Sequence, residues 1–350
     1  MRVVLADPPA FTPQYDHELA AALARTGQDV ELVTSRFRFG AAPAPDGYRR
    51  SELFYPLSSR VFRRSRLRLP VKALEHPIGL ARLMRRPADV VHLQWLAAPQ
   101  IDRRLLKLRA PGVFTAHDLL PRRTAKRLEL WRALFERFER VVVHSQRGRE
   151  VLTGLVDPER LRVIPMPVFV SDPVRADDGR TVLFFGVIRP YRGLADALAA
   201  IERVDDVRLI VAGDPVENVD GYRARAPGRV DWRLGYLPEH EVDRAHGEAT
   251  LAVFPYRPEI DQSASMARAL GAGVPVVTYD VGGLAEPVRA FGAGRVVPAG
   301  DVDGLAEAIR SLLGDAEALA AARAGAERAR QALTWDAAAE AHLAVYRELG

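Results

Sequence analysis

Val182-Leu183-Phe184-Phe185-Gly186-Val187-Ile188-Arg189-Pro190-Tyr191-Arg192-Gly193 lies just past the middle of a 350-residue chain. Four apolar residues end at a glycine, two arginines follow, and a second glycine precedes the helical pattern Leu194–Ile201. A short apolar run, a turn and a helix make one βα unit. The loop suits an anion, because helix N-terminal N–H groups and guanidinium forks both favour phosphate. A plain βα turn with two solvated arginines has the same composition, so these residues alone leave both readings open.

The same alternation runs outward in both directions. Downstream, Val207–Val211, Arg229–Arg233, Leu251–Phe254, Val274–Thr278 and Arg295–Val297 read as strands among the helical stretches Glu239–Gly247, Ser263–Leu270 and Val302–Leu313. The chain ends in helical patterns over Ala316–Ala332 and Trp335–Leu349. Upstream, Val3–Ala6, Val30–Thr34, Val90–Leu93, Val113–Ala116 and Val141–His144 alternate with helical patterns such as Asp16–Arg25 and Val71–Arg85, while 36–70 reads as irregular and Arg-rich. Such alternation predicts an α/β fold with parallel sheets. Two prolines in Val163-Ile164-Pro165-Met166-Pro167, then the polar stretch Ser171–Gly179, place a domain boundary near residue 170. Sheets of this kind bind ligands at the carboxyl ends of their strands. If those ends face each other, the active site is the cleft between the domains.

Hydrophobic residues make up 48% of the chain and charged residues 27%, enough for real cores. The absence of cysteine excludes disulfides, thiolate zinc, iron–sulfur clusters and cysteine nucleophiles. The start, MRVVLADPPA, does not read as a signal peptide and no run of about 18 apolar residues occurs, so the expectation is a cytoplasmic protein. Residues 1–168 hold 30 basic against 17 acidic residues, a net of +13, and 169–350 hold 20 against 28, a net of −8. This asymmetry suggests two units with different partners. Five arginines from Arg60 to Arg68 are interleaved with apolar residues. They suit an anionic membrane surface, with a peripheral place on the inner face, or an acidic glycan, or form a solvated loop; no nucleic-acid module accompanies them.

A second segment carries chemistry. Phe254-Pro255-Tyr256-Arg257-Pro258-Glu259-Ile260-Asp261-Gln262-Ser263-Ala264-Ser265 is a strand end and a polar loop leading into a helix. Free N–H groups at Ser263, Ala264 and Ser265 suit a diphosphate, and Glu259, Asp261 or Gln262 suit sugar or ribose hydroxyls; Ser263 as a plain N-cap is the simpler reading. In the first half, strand ends present His92 and Trp95, which either line an acceptor pocket or pack in the core, and His117. The lone Asp-x-Asp, Asp301-Val302-Asp303, opens a helix and reads as a cap, not a metal site.

From Phe184 to Glu286 the chain resembles the donor half of glycosyltransferase family 4. Gly186 to Gly193 resembles its phosphate loop, Ile210-Val211-Ala212-Gly213-Asp214 its second strand and turn, and Gly235-Tyr236-Leu237-Pro238 the loop before its next helix. Gly273-Val274-Pro275-Val276-Val277 and Gly282-Gly283-Leu284-Ala285-Glu286 resemble its late signatures. Thr334-Trp335-Asp336 resembles the start of its terminal helix, which crosses back to the first domain. The resemblance implies a GT-B fold: an acceptor-side Rossmann-like domain over 1–169 with helix 335–350, and a donor domain over 170–334. It implies retaining, metal-independent sugar transfer from a nucleotide-sugar to an unidentified acceptor, with no cofactor. Arg192 then stands where the family has lysine, and Arg189 substitutes for an arginine at the position of Val187. His117 matches a histidine near the donor sugar, Gly186 and Glu286 fall in the donor site, and Tyr15, Asp16, His92 and Trp95 face the acceptor. Two departures stand out. The family's paired glutamates fall on Ile260 and Arg268, and its glycine pair after the first strand is replaced by Pro8-Pro9-Ala10-Phe11-Thr12. A relative that binds a nucleotide or sugar without transfer is the alternative these departures imply.

Overall fold

The computed structural model describes residues 1–350 apart from 38, 39, 41, 60–67, 122 and 259. The chain divides into two compact units, Met1–Pro165 with Trp335–Gly350, and Met166–Thr334. The division falls before the 169/170 boundary expected from the polar linker. Val168 explains the offset: it is buried, and its N–H donates to Leu333 O within the second unit (2.9 Å).

The first unit runs β1 (Arg2–Asp7), α1 (Pro13–Arg25), β2 (Asp29–Ser35), β3 (Arg49–Phe54), α2 (Arg68–Leu83), β4 (Val90–Leu93), α3 (Pro99–Leu105), β5 (Gly112–Thr115), α4 (Leu128–Phe135), β6 (Arg140–Val143), α5 (Gln146–Leu152) and β7 (Leu161–Val163). Its seven strands lie in the order β3-β2-β1-β4-β5-β6-β7, all parallel, with Val3 opposite both Val30 and Val90. Strands covered on both faces must be apolar throughout. Val4, Ala6, Val91, Phe114, Val141 and Val143 form the core on that basis. The edge strand β3 falls in the stretch expected to be irregular. It lacks an apolar run because polar cross-strand pairs hold it: Arg49 to Asp29 (2.9 Å) and Ser51 Oγ to Glu31 (2.6 Å).

The second unit runs β8 (Thr181–Phe185), α6 (Leu194–Glu202), β9 (Arg208–Gly213), α7 (Asp220–Arg223), β10 (Val230–Leu234), α8 (Glu239–Glu248), β11 (Leu251–Phe254), α9 (Ala264–Gly271), β12 (Val276–Tyr279), α10 (Ala285–Phe291), β13 (Gly294–Val297), α11 (Val302–Gly314) and α12 (Ala316–Ala332). Its six parallel strands have the order β10-β9-β8-β11-β12-β13. The last helix, α13 (Trp335–Arg347), packs on α1 of the first unit, with Arg25 bonded to Asp336 (2.6 Å).

Strand order reverses direction between β1 and β4 in one unit and between β8 and β11 in the other. Each reversal splays the following loops apart and leaves an open crevice at the carboxyl ends of those strands. Asp7 and Gln94 lie at the first crevice, and Gly186 and the Pro255–Ser265 loop at the second. No helix among the described residues is long and apolar enough to cross a membrane. Most of the basic run, from Arg60 to Leu67, lies outside the described residues, and Arg68 begins α2.

Candidate active site

In the second unit, β8 ends at Phe185 and Gly186 turns with φ +118°. A Cβ there would sit 2.3 Å from Ser265 Oγ and 2.9 Å from Arg192 Nη1, so only glycine lets the loops after β8 and β11 close this far. Gly193, with φ +71°, opens α6 equally close to the second loop: a Cβ on it would meet Pro255 O at 1.9 Å.

Arg192 lies at the centre. Its guanidinium stacks over the Tyr256 ring (4.9 Å), and Nη1 donates to Ser265 Oγ (2.8 Å) and to the Tyr256 hydroxyl. Its Nε is buried without a hydrogen-bond partner. A buried cationic donor left open is costly unless something else satisfies it. Ser263 caps α9, its Oγ accepting from Met266 N–H (3.1 Å) and lying 3.1 Å from the Tyr256 hydroxyl. The start of α9, with its positive dipole end, therefore points its free N–H groups into the neighbourhood of Arg192. Ala264 is exposed at that helix start.

The structure thus brings together Gly186, Arg192, Ser263 and Ser265. Asp261 is buried just ahead of them, its backbone carbonyl accepting from Gly283 N–H (2.9 Å), with Gln262 partly exposed beside it. Glu286 lies in the first turn of α10, its N–H donating to Gly283 O (3.2 Å). Arg189 serves the turn through its backbone, accepting from Arg192 N–H (2.9 Å), while its side chain is exposed. Glu259 lies outside the described residues. Tyr256 and Arg257 were not singled out from sequence. Arg257 donates its N–H to Tyr191 O (2.8 Å) and its guanidinium to Asp196 (3.1 Å), tying the two loops together. Nothing in a Pro-Tyr-Arg-Pro string distinguishes such a clasp from a solvated loop. Arg268, in the place of a family glutamate, forks onto Glu239 (2.8 and 3.1 Å) and lies over the Phe169 ring.

In the first unit, His117 and His144 follow β5 and β6. His144 Nδ1 lies 2.9 Å from Ile164 O, so it must carry the proton there, and its Nε2 is left as an acceptor. His117 Nδ1 is 3.3 Å from that Nε2. Its own Nε2 lies 2.9 Å from Gln94 Oε1, which accepts the ring N–H there. Burial keeps both rings neutral, pulling His144 down to about 4 and His117 well below the ordinary imidazole range. Trp95 stacks on His117 (5.2 Å) and is fixed by Nε1 donating to Thr12 Oγ1 (2.9 Å). Tyr15 meets the same ring edge-on (4.7 Å).

Three acceptor-side expectations need correction. His92 is fully buried, with its two nitrogens taken by Tyr346 (2.6 Å) and Thr115 (2.7 Å), so it joins α13 to the sheet and offers nothing to a ligand. Tyr15 and Asp16 are also buried, and only Trp95 keeps partial exposure. The Asp16 carboxyl lies against that of Asp7, and burial together with this like charge drives it well above the usual carboxylate range. Asp7 in turn accepts from Thr12 N–H (3.1 Å). This buried pair organises the Pro8–Thr12 loop that stands where glycines were expected.

Among the described residues, no group of three or more His, Asp or Glu side chains is placed to hold a metal ion. Asp301 caps α11 by accepting from Gly304 N–H (2.8 Å), and Asp303 pairs with Arg203 (2.9 Å).

Known proteins carry the same plan. A family model described as Glycosyltransferase Family 4 matches residues 14–171, and one described as Glycosyl transferases group 1 matches 179–315. The D-inositol 3-phosphate glycosyltransferase of Jonesia denitrificans is 30% identical over 184 residues, covering 49% of this chain and 43% of that relative, so the match spans less than half of its length. Among solved structures, sucrose-phosphate synthase from Thermosynechococcus elongatus has a TM-score of 0.77 at 22% identity, covering 100% of this chain and 99% of its own. Anabaena HepE in complex with UDP-glucose has a TM-score of 0.72 at 15% identity, covering both chains in full (100%). At such identities the structural likeness is one of fold. With both halves matched by family models in the expected order, the chain belongs to the family 4 glycosyltransferases and has the GT-B fold.

Proposed function

We propose that this glycosyltransferase moves a sugar from a nucleotide-sugar to a hydroxyl-bearing acceptor with retention at the anomeric carbon. The observation that carries the reading is Arg192, a half-buried arginine whose buried Nε is open, set beside the free N–H groups of α9. Two negative charges of a diphosphate match that arrangement. HepE, a relative in fold, was solved with UDP-glucose, which supports a donor of this class. In this reading Arg192, Ser265 and the α9 N–H groups stabilise the charge that develops as the diphosphate departs, in the role a bound cation plays elsewhere. The acceptor hydroxyl attacks from the same sugar face, and a leaving phosphate oxygen takes its proton. The anomeric C–O bond to phosphate breaks as the new C–O bond forms. Trp95 offers a stacking face for a sugar ring, and the neutral His117, its nitrogens turned to Gln94 and His144, supports that face without adding charge.

A second reading rests on one observation: Arg268 is engaged with Glu239 where a family glutamate is expected, which suits a chain that binds without transferring. Incubation with UDP-, GDP-, ADP- and TDP-sugars, with water as acceptor, separates the two. Slow hydrolysis of one donor supports transfer, and tight binding without hydrolysis supports the second reading. Arg192→Ala should lower donor turnover by roughly 10²–10³-fold, the size typical of losing one charge-stabilising donor. Unchanged turnover would remove Arg192 from the mechanism.

A further inference from the structure

We propose that the outer face of α2 and α3 docks on an anionic lipid surface. The outer stripe of α2 carries Val71, Leu74, Ile78 and Ala81, at spacings that share one helix face. Leu74 is 75% exposed and Ile78 54%. A surface helix ordinarily puts its charges on that face. Here the one charged residue between Lys72 and Arg82 is Glu75, which turns inward to accept from the N–H groups of Leu57 (2.6 Å) and Ser58 (3.1 Å). Helix α3 is tied to α2 by His76 Nε2 against Asp102 Oδ1 (2.5 Å) and adds Leu105, 41% exposed.

Cations lie on these two helices and just past their ends. Arg82, Arg85, Arg103, Arg104, Lys107 and Arg109 are exposed. Between residues 68 and 109 the chain has nine basic and three acidic residues. All three acids are engaged: Glu75 and Asp102 are buried in the bonds just given, and Asp89 accepts from Arg2 N–H (2.7 Å). The face presented outward is apolar at its ridge and positive around it.

An anionic bilayer satisfies both features at once, taking the leucine and isoleucine into the headgroup boundary and the cations against its phosphates. A second copy fits worse, because a two-fold contact would set the same cations against themselves. Nucleic acid would match the cations and leave Leu74 and Ile78 without an apolar partner. The inference goes beyond sugar transfer and does not depend on it.

The test is sedimentation of the full chain with phosphatidylcholine vesicles, with and without phosphatidylglycerol. Binding is expected only with phosphatidylglycerol and should weaken as salt rises. Leu74→Ser with Ile78→Ser, and separately Arg103→Glu with Arg104→Glu, should each weaken binding by about tenfold or more. All four side chains are exposed, so both variants should keep the parent thermal unfolding profile. No binding to anionic vesicles would overturn the proposal, as would equal binding to neutral ones or binding that both variants retain. A dimer of the free chain that Leu74→Ser with Ile78→Ser dissociates would also overturn it.

Discussion

His246 allows an acid-sensitivity prediction to be worked through. It sits on α8, buried, with Nδ1 donating to Val242 O (2.8 Å) and its ring edge-on to Phe185 (4.8 Å). Its Nε2 is buried and has no partner. Protonation would place an N–H⁺ there with nothing to accept it, so burial pulls the folded value down to about 4. The unfolded chain titrates near 6.5 and takes up the proton first as pH falls. Stability from this group is therefore full above about pH 6.5, lost progressively down to about pH 4, and flat below. The loss at about pH 5 is roughly 2 kcal/mol. Urea unfolding of the parent and of His246→Gln at about pH 7 and about pH 5 isolates the group, because other titrating groups cancel in the difference. The gap between the two proteins should shift by roughly 2 kcal/mol in favour of the variant at the lower pH. A gap that does not move with pH would refute the buried, neutral assignment.

Gly186→Ala should abolish donor binding with modest loss of fold stability, since its Cβ would displace Ser265 Oγ and Arg192 Nη1 at a backbone angle alanine resists; calorimetry with the donor found by the screen would show it, and unchanged affinity would dissociate this loop from the donor site. Arg268→Glu should break the fork on Glu239 at roughly 0.5 kcal/mol, because the Glu239 side chain is largely exposed. Hydrolysis assays then decide between readings: donor turnover that arises only in this variant would establish that the parent binds without transferring.

Much of the fold was legible because parallel strands covered on both faces leave an unbroken apolar record, as in Val3–Ala6 or Leu251–Phe254. Edge strand β3 left no such record, since Arg49 and Ser51 hold it through charge and hydrogen bonds to β2. The donor loops were legible through glycine, whose backbone freedom the close approach of Gly186 to Ser265 requires. Burial was not legible at His92, Tyr15 and Asp16. A histidine at a strand end looks the same whether it faces a ligand or, like His92, a tyrosine on a helix 254 residues away in sequence. Tyr256 was hidden for a related reason: its value to Arg192 lies in a ring stacked across two loops, which no local spacing encodes.

The charge split acquires a different meaning once residues are placed. A net of +13 in residues 1–168 set the first half apart, and its run from Arg60 to Arg68 suited an anionic membrane surface or an acidic glycan. Yet the ends of β1, β5 and β6 carry the buried Asp7, with Asp16 against it, and the neutral His117 and His144. With Asp16 driven well above the usual carboxylate range and both histidines neutral, these groups offer an anion no positive charge. Exposed cations lie elsewhere on this unit, among them Arg82 on α2, Arg103 and Arg104 on α3, and Lys126 and Arg127 before α4. Positive charge in this half is therefore carried largely at the surface. On the function proposed above, these strand ends suit an acceptor whose reacting part is an uncharged hydroxyl.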